Sequence, residues 1–294
     1  MTPLNRILAA TDMSAPARHA AQRAALVGNE TSAALDLVHV ANLAPLERLR
    51  QLMGATADEM QARVLEPARE QLQSLAASLS QRYGVPAGTH VVAGSLLPEL
   101  ARLTDELAAG LLVCGARGES FMWHAVLGTT ALRLLSATTC PVLVVKQAPH
   151  ESYRRVLIAV DFSPSSLHVI SDARTVAPNA EITLLHAFEV PFEGRLRYAS
   201  VDAETIEQYR LTVKQEAIQK LHALRDEAGL SPAVASSLVL HGDPAMRIGE
   251  QEQELDCDLI AMGRHGYGAV AQLLLGSVTR NVLAECQCDV LVSV

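Results

Sequence analysis

The sequence predicts an α/β fold of two tandem Rossmann-like or flavodoxin-like domains, each a five-stranded parallel-type sheet with helices on both faces. Short, continuously apolar runs such as LLVC (111–114) and VLIAV (156–160) alternate with helical patterns along the chain. Parallel strands that are buried on both faces require such runs. The same order of runs and helices occurs twice, which indicates a duplicated domain.

The duplication is visible as a near-constant offset between matching segments. The aligned pairs are RILAATDMS (6–14) with RVLIAVDFS (155–163), LLVCGARGE (111–119) with LIAMGRHGY (259–267), and CPVLVV (140–145) with CDVLVS (288–293). The first pair is 149 positions apart and the other two pairs are 148 apart. We therefore predict domains over 1–147 and 154–294, joined by a linker over 148–153.

The elements of each repeat follow from periodicity and capping residues. In the first repeat we predict a strand at LNRILAA (4–10), a helix over 15–28 capped by Ser14, a strand at LDLVHV (35–40), a helix from Ala57 to Tyr83, a strand at THVVA (89–93), a helix over 96–109, a strand at LLVC, a helix over 129–136 and a strand at PVLVVK (141–146). Pro67 is expected to kink or break the long helix. The second repeat has the same order, with its long helix near 202–227.

Charge and composition exclude several function classes. The 294 residues include 24 Lys and Arg against 32 Asp and Glu, a net charge of −8. Nucleic acid is not expected as a partner, because phosphate binding needs a basic face. No run approaches the roughly 18 apolar residues of a membrane span, and no histidine pair has metal-ligand spacing. Five cysteines without a secretory signal favour the reducing cytoplasm.

A glycine motif recurs in register in the two repeats, with the pattern G-x-x-G, nine residues, then G-(S/T). Its positions are Gly115, Gly118, Gly128 and Thr129 in the first repeat, and Gly263, Gly266, Gly276 and Ser277 in the second. The first two glycines follow a buried strand, where the backbone must turn and come close to a ligand. The last glycine opens a helix, whose free N–H groups and positive dipole end suit a phosphate.

These residues together resemble the universal stress protein family. The resemblance rests on an aspartate after the first strand, the LVHV strand, the glycine motif and the closing PVLVV strand, and it covers essentially the whole chain twice. The arrangement is similar to that of the tandem members of the family. The resemblance implies a role in the stress response, as a sensor or an interaction module.

For the nucleotide-binding members, the resemblance implies ATP in each α/β domain, and whether Mg²⁺ accompanies it stays open. Asp12 or Asp161 would meet the adenosine, and the main chain of Val40 or Ala187 would meet the adenine. The glycine loop and the helix start would carry the ribose and phosphates. The implied nucleotide-binding residues are Asp12, Val40, Gly115, Gly118, Gly128, Thr129 and Thr130 in the first repeat, and Ala159, Asp161, Ala187, Met262, Gly263, Arg264, His265, Gly266, Gly276, Ser277 and Val278 in the second.

The two repeats differ in how closely they follow the family pattern. In the second, Arg264 and His265 lie between the first two glycines and could face a phosphate. In the first, Glu119 directly follows the second glycine, where a carboxylate would repel phosphates if it faced inward. Phe121, Met122 and Trp123 add bulk to the same loop. We therefore expect nucleotide most of all in the second domain.

Simpler structural roles remain open for several of these residues. Asp12 and Asp161 could cap the following helices, as could Ser14 and Ser163. His39 and His186 are expected to be buried histidines with satisfied hydrogen bonds rather than ligands or bases. Cys140, Cys286 and Cys288 are expected to pack in the core. The segments 42–55 and 189–201 differ most between the repeats, so specific ligands or partners could act there.

Two other functions stay open beside the nucleotide-binding sensor. A slow ATPase or phosphoryl-transfer enzyme is one, but no Walker lysine lies near either loop and no general base can be named. A nucleotide-free structural or dimerisation module is the other. The resemblance also implies an intramolecular pseudo-dimer through the terminal strands at 141–146 and 289–294, and a homodimer of the whole chain stays open.

Overall fold

A computed structural model describes residues 3–43, 56–117, 128–189, 202–266 and 275–294. The chain divides into two compact units. The first contains Met1–Ser152, Thr175–Pro178 and Asp289–Val292, and the second contains Tyr153–Arg174, Asn179–Cys288 and Ser293–Val294. Among the described residues, no helix combines the length and the apolar character needed to cross a membrane.

Strands and helices alternate along both repeats, as the sequence predicts. The first repeat contains β1 (Arg6–Ala10), α1 (Ala15–Thr31), β2 (Ala34–Ala41), α2 (Ala57–Tyr83), β3 (Ala87–Ala93), α3 (Leu96–Glu106), β4 (Leu111–Gly115), α4 (Thr129–Ala137) and β5 (Val142–Val145). The second contains β6 (Arg155–Ala159), α5 (Ser166–Val176), β7 (Glu181–Phe188), α6 (Ala203–Glu227), β8 (Ala235–His241), α7 (Pro244–Glu254), β9 (Leu259–Gly263), α8 (Ser277–Glu285) and β10 (Asp289–Ser293).

The strand order confirms the predicted Rossmann-like α/β fold. In the first unit the order β3-β2-β1-β4-β5 is parallel throughout. In the second unit the parallel order is β9-β6-β7-β8. Ligands of such sheets bind outside the carboxyl ends of the strands, where the strand order reverses. That point lies beyond β1 and β4 in the first unit, and beyond β6 and β9 in the second.

Burial explains why these runs form central strands. Ile7 and Leu8 in β1 and Leu157 and Ile158 in β6 are fully buried, although successive side chains point to opposite faces of the sheet. Both faces of these strands are therefore covered. Apolar burial stabilises a domain by about 25 cal/mol for each square ångström removed from water, so the continuous runs favour this two-sided arrangement.

The first unit also contains β10, which pairs antiparallel with β5 in the register Leu143↔Leu291. This confirms the expected pairing of the segments 141–146 and 289–294. The start of β10 is held by Asp289, whose side chain is only 2% exposed. Its carboxylate accepts hydrogen bonds from Arg23 Nε at 3.2 Å and from the backbone N–H of Lys146 at 2.8 Å. The buried charge is therefore paired and hydrogen-bonded.

Some helix boundaries differ from the sequence predictions. Ser14 caps α1 as expected, since its side chain accepts from Ala17 N, but α1 continues to Thr31 rather than ending at 28. Of the kink or break expected at Pro67, the break is wrong, because α2 is one helix from Ala57 to Tyr83. Its buried Leu65 and Leu72, on either side of the proline, hold both parts of the helix against the core.

The third helix of the first repeat is shorter than predicted, ending at Glu106 instead of 109. Ala108 has a φ of 48°, in the left-handed region, and the N–H of Ala109 turns back to the carbonyl of Thr104. This left-handed residue ends the helix in the way a C-terminal glycine usually does.

Candidate functional site

The turn after β6 carries Asp161 at the carboxyl edge of the second sheet. Its Oδ1 accepts hydrogen bonds from Ser163 N at 3.0 Å, Ser163 Oγ at 2.6 Å and Ser166 Oγ at 3.2 Å. Phe162 has a φ of 62°, which is rare for a bulky residue and often marks a functional turn. Through Oδ1, Asp161 therefore stabilises the turn between β6 and α5.

The first glycine of the second motif ends β9 and is held from two sides. The N–H of Arg264 donates to Ser293 O at 2.9 Å, and the N–H of Gly276 donates to Arg264 O at 3.0 Å. Thr279 Oγ1 donates to Gly263 O at 2.9 Å. The loop therefore returns to its starting point, and the helix start lies against the strand end.

Gly276 is needed for this close approach. A Cβ atom added there would lie 3.3 Å from the carbonyl oxygen of Arg264 and 3.6 Å from Cα of His265. Gly276 is also the N-cap of α8 and makes no side-chain capping bond. The first N–H groups of a helix have no partner within the helix, so the main chain of Ser277 and Val278 offers donors at the positive end of the dipole.

The Asp161 turn, the glycine loop and the α8 N-terminus surround one cavity of about 450 Å³. Ten of the eleven residues predicted for this site in the second repeat line it: Ala159, Asp161, Ala187, Met262, Gly263, His265, Gly266, Gly276, Ser277 and Val278. The exception is Arg264, whose side chain is buried but is not part of the lining.

Helix α7 supplies lining residues that the sequence analysis missed. Pro244 and Ile248 line the cavity, beside Leu185 of β7 and Val169 of α5. The signal that could have located them is Asp243-Pro244, an N-cap followed by proline at the first helical position. Asp243 does cap α7, since its side chain accepts from Met246 N. This helix start follows β8 at the same edge of the sheet.

His39 and His186 have satisfied hydrogen bonds, as expected. Nδ1 of His186 lies 2.9 Å from the carbonyl oxygen of Val160, and Nδ1 of His39 lies 2.9 Å from that of Thr11. Both side chains are half-buried. Burial lowers the pKa of His186 below its ordinary value, and this outweighs the opposite effect of its hydrogen bond to Val160. Burial therefore favours the neutral form of this imidazole.

The first repeat shares the backbone frame of the glycine motif. The N–H of Ala116 donates to Val145 O at 2.8 Å, and that of Gly128 donates to Ala116 O at 2.9 Å. Gly115 ends β4, and Gly128 is the N-cap of α4, which begins at Thr129 and Thr130. The position that matches Thr279 is Ala131, which has no hydroxyl to hold the loop.

Several predictions for the first motif concern residues outside the described ranges. These residues are Gly118, Glu119, Phe121, Met122 and Trp123. The same holds for 44–55 and 190–201, which make up most of the two segments where specific ligands or partners were expected.

Asp12 lies in a turn that matches that of Asp161, since its Oδ1 accepts a hydrogen bond from Ser14 N at 3.0 Å. It lines a cavity of about 410 Å³ together with Met13, Ser14, His39 and one stripe of α2, formed by Val64, Pro67, Ala68 and Gln71. Gly115, Gly128 and Val40 are not part of that lining. Successive side chains of a strand alternate between faces, so His39 and Val40 lie on opposite faces of β2. The described part of the first unit thus does not bring its predicted nucleotide residues together around this cavity.

None of the five cysteines forms a disulfide and most are buried, which supports the packing role expected for them. Cys140, Cys286 and Cys288 are each less than 10% exposed. Burial raises the pKa of the Cys114 thiol to about 12. Burial and neighbouring carboxylates raise the pKa of Cys257 to about 12 as well. Such thiols are protonated at neutral pH and react slowly.

Comparison with known proteins agrees with the fold and the repeat. The sequence profile of the Universal stress protein family matches residues 3–146 and 152–293. A universal stress protein of Mycolicibacterium smegmatis is 27% identical over 296 aligned positions, covering 97% of this chain and 96% of the relative. One from Mycobacterium tuberculosis is 28% identical, covering 75% of this chain and 69% of the relative. The crystal structure of a universal stress protein from Archaeoglobus fulgidus has the same fold, with a TM-score of 0.71, 21% identity and 99% of each chain covered.

Proposed function

Because the chain belongs to the universal stress protein family and carries two of its domains in tandem, we propose that it binds ATP in its second unit and acts in the stress response as a sensor or interaction module. The observation that carries this proposal is the single cavity shared by the Asp161 turn, the glycine loop and the N-terminus of α8. Its volume of about 450 Å³ lies within the usual range of small-molecule sites.

The chemistry of the lining fits a nucleotide. Leu185, Ile248 and Val169 supply an apolar wall on which a purine base could pack. The main-chain donors of Ser277 and Val278 supply the positive helix end that binds phosphate oxygens. Both regions line one cavity, which matches a ligand with an apolar base and an anionic tail.

The position of Asp161 fits the ribose rather than the phosphates. A carboxylate is an acceptor, so it can receive hydrogen bonds from sugar hydroxyls but repels phosphate oxygens. A Cβ atom added to Gly266 would lie 3.5 Å from Asp161 Oδ2. That distance shows that the second oxygen is directed toward the glycine loop, while Oδ1 is held by the serines.

We propose one nucleotide per chain, because the two glycine motifs share a backbone frame but differ at the position of Thr279. Thr279 joins the helix start to Gly263 in the second repeat, whereas Ala131 makes no such bond in the first. A loop held in its binding conformation loses less freedom when a ligand binds, so its affinity is higher. The five cysteines form no disulfide, which supports the cytoplasm as the compartment of this function.

The test is calorimetric titration of the purified chain with ATP, together with mass analysis of small molecules released on denaturation. Gly276→Asp places a carboxylate at the phosphate donors, and Gly128→Asp makes the matched change in the first repeat. We expect about one ATP per chain, lost in Gly276→Asp and kept in Gly128→Asp. A Cβ atom would lie 3.3 Å from a backbone carbonyl oxygen at Gly276 and 3.4 Å from one at Gly128, so the melting temperatures of both variants should fall by similar amounts. The difference in ATP binding between the two variants then reports on the site. No released nucleotide and no binding heat in the wild type would refute the proposal.

A further inference from the structure

His186 contacts the Asp161 turn at two points, from the face of β7 that is turned away from the cavity. Its Nδ1 lies 2.9 Å from the carbonyl oxygen of Val160. A carbonyl oxygen only accepts, so Nδ1 carries the hydrogen. Its ring also packs against the ring of Phe162, with the centroids 4.1 Å apart and the planes inclined by 34°. The two contacts fall on the residues directly before and after Asp161.

The backbone of this turn needs such support. The N–H of Val160 donates to Leu185 O at 2.9 Å, so β7 holds Val160 by its N–H through the main chain and by its carbonyl through His186. Phe162, two residues on, has a φ of 62°. An aromatic residue is strained in the left-handed region, and it stays there only where its surroundings favour it. The stacked imidazole supplies that favourable contact.

The geometry of the turn decides where the carboxylate of Asp161 points. Oδ1 is held by Ser163 and Ser166, and Oδ2 faces the glycine loop at Gly266. A rotation of the Val160–Asp161 peptide would move both oxygens. Leu185 and Ala187 line the cavity, but His186 between them does not, because side chains alternate along a strand. His186 therefore reaches the site only through the turn.

We propose that His186 is a positioning residue, which holds the turn through Val160 and Phe162 and thereby directs Asp161 into the cavity without contacting the ligand. This role rests on the nucleotide site proposed above. The first repeat uses part of the same device: His39 bonds to Thr11 O, and Met13 has a φ of 66°. The hydrogen bond from the histidine to the turn thus occurs in both repeats, whereas the aromatic contact with Phe162 belongs to the second repeat.

The first experiment is ATP titration of three substitutions at His186. His186→Ala removes both contacts, His186→Phe keeps a ring without the donor, and His186→Asn keeps an N–H donor without the ring. We expect His186→Ala to weaken ATP binding roughly tenfold, as expected for a lost hydrogen bond and a misplaced carboxylate. The other two variants should recover part of that loss. His222→Ala, an exposed histidine on α6, is the matched control and should bind as the wild type does.

A double-mutant cycle distinguishes positioning from general weakening. If His186 acts through Asp161, then His186→Ala should cost little further affinity in an Asp161→Asn background. Additive losses in the double variant would overturn the proposal. So would unchanged affinity in His186→Ala.

Hydrogen exchange tests the proposal without any ligand. The N–H of Ser163 donates to Asp161 Oδ1, so its exchange rate reports whether the turn is intact. We expect that N–H to exchange at least about tenfold faster in His186→Ala, while amides in β9 keep their rates. If the wild type bound no ATP, the proposed function would fail, but this measurement would still decide whether His186 holds the turn. Unchanged exchange at Ser163 would refute that.

Discussion

The hydroxyl of Thr279 donates a 2.9 Å hydrogen bond to the carbonyl oxygen of Gly263, and so joins the first turn of α8 to the end of β9. Thr279 is only 2% exposed. Two hydrogen bonds therefore close the glycine loop: this one from a side chain, and one from the backbone N–H of Gly276 to the carbonyl oxygen of Arg264. The side-chain bond is also a point where the two repeats differ, because Ala131 occupies the matching position.

Thr279→Val should weaken ATP binding about fivefold to tenfold. The valine has nearly the same shape, but it leaves the carbonyl of Gly263 without this donor and loosens the loop. Titration calorimetry measures the change. Thr279→Ser keeps the hydroxyl and should bind within about twofold of the wild type. Equal affinity in the wild type and Thr279→Val would show that the bond does not shape the site.

Asp289→Ala should lower the free energy of unfolding by about 3 kcal/mol, the usual cost of leaving one partner of a buried ion pair alone. Arg23 would keep its charge beside β10, and the N–H of Lys146 would lose its acceptor. Urea unfolding followed by circular dichroism gives the value.

An exposed ion pair provides the control for that measurement. Arg102 pairs with Glu106 on the surface of α3, and Arg102→Met should leave the unfolding midpoint unchanged within error. Equal effects of Asp289→Ala and Arg102→Met would mean that the buried ion pair contributes no more to the free energy of unfolding than the exposed one.

The stability of the second unit should fall as the pH is lowered below about 6.5, where an unperturbed histidine takes up a proton. Burial lowers the pKa of His186, so the unfolded chain binds a proton at a pH at which the folded chain does not. The state that binds more protons is favoured by acid, so stability is full above pH 6.5 and is lost toward the lowered pKa. His186→Asn should reduce this slope in pH-dependent urea unfolding. His222→Asn should keep it.

Cys257 should react about 1,000-fold more slowly with iodoacetamide in the folded protein than in urea, at pH 8. Its pKa of about 12, against 9 for a free thiol, leaves very little thiolate. Mass spectrometry of peptides after timed alkylation measures the rate, with the urea-unfolded chain as reference. Folded and unfolded rates within about tenfold of each other would show that burial and the nearby carboxylates do not raise the pKa of Cys257 this far.

The repeat and the apolar runs were enough to predict both sheets and the place of the glycine motif in each. They were enough because a strand that is buried on both faces is a continuous apolar run, and such a run can be recognised within one short segment of sequence. Pro244 and Ile248 were missed, since their contact with the cavity depends on how α7 packs across the sheet. The hydrogen bond from Thr279 to Gly263 was also missed, because the sequence around a helical threonine does not indicate which carbonyl oxygen its hydroxyl will bond.

At Pro67, by contrast, a local rule predicted a helix break that the structure does not contain. A proline inside a helix costs about 3 kcal/mol. The burial of Leu65 and Leu72 on the same helix stabilises it by a comparable free energy, so α2 stays continuous.

The pairing of β5 with β10 has a consequence for synthesis on the ribosome. β5 ends at Val145 and β10 begins at Asp289, so the partner strand emerges only after β6 to β9 have been translated. At typical elongation rates this delay is on the order of ten seconds. During that time the backbone edge of the apolar VLVV strand lacks β10 and can pair with a neighbouring nascent chain on the same messenger RNA. Translation speed across the second repeat should therefore set how much of the product aggregates.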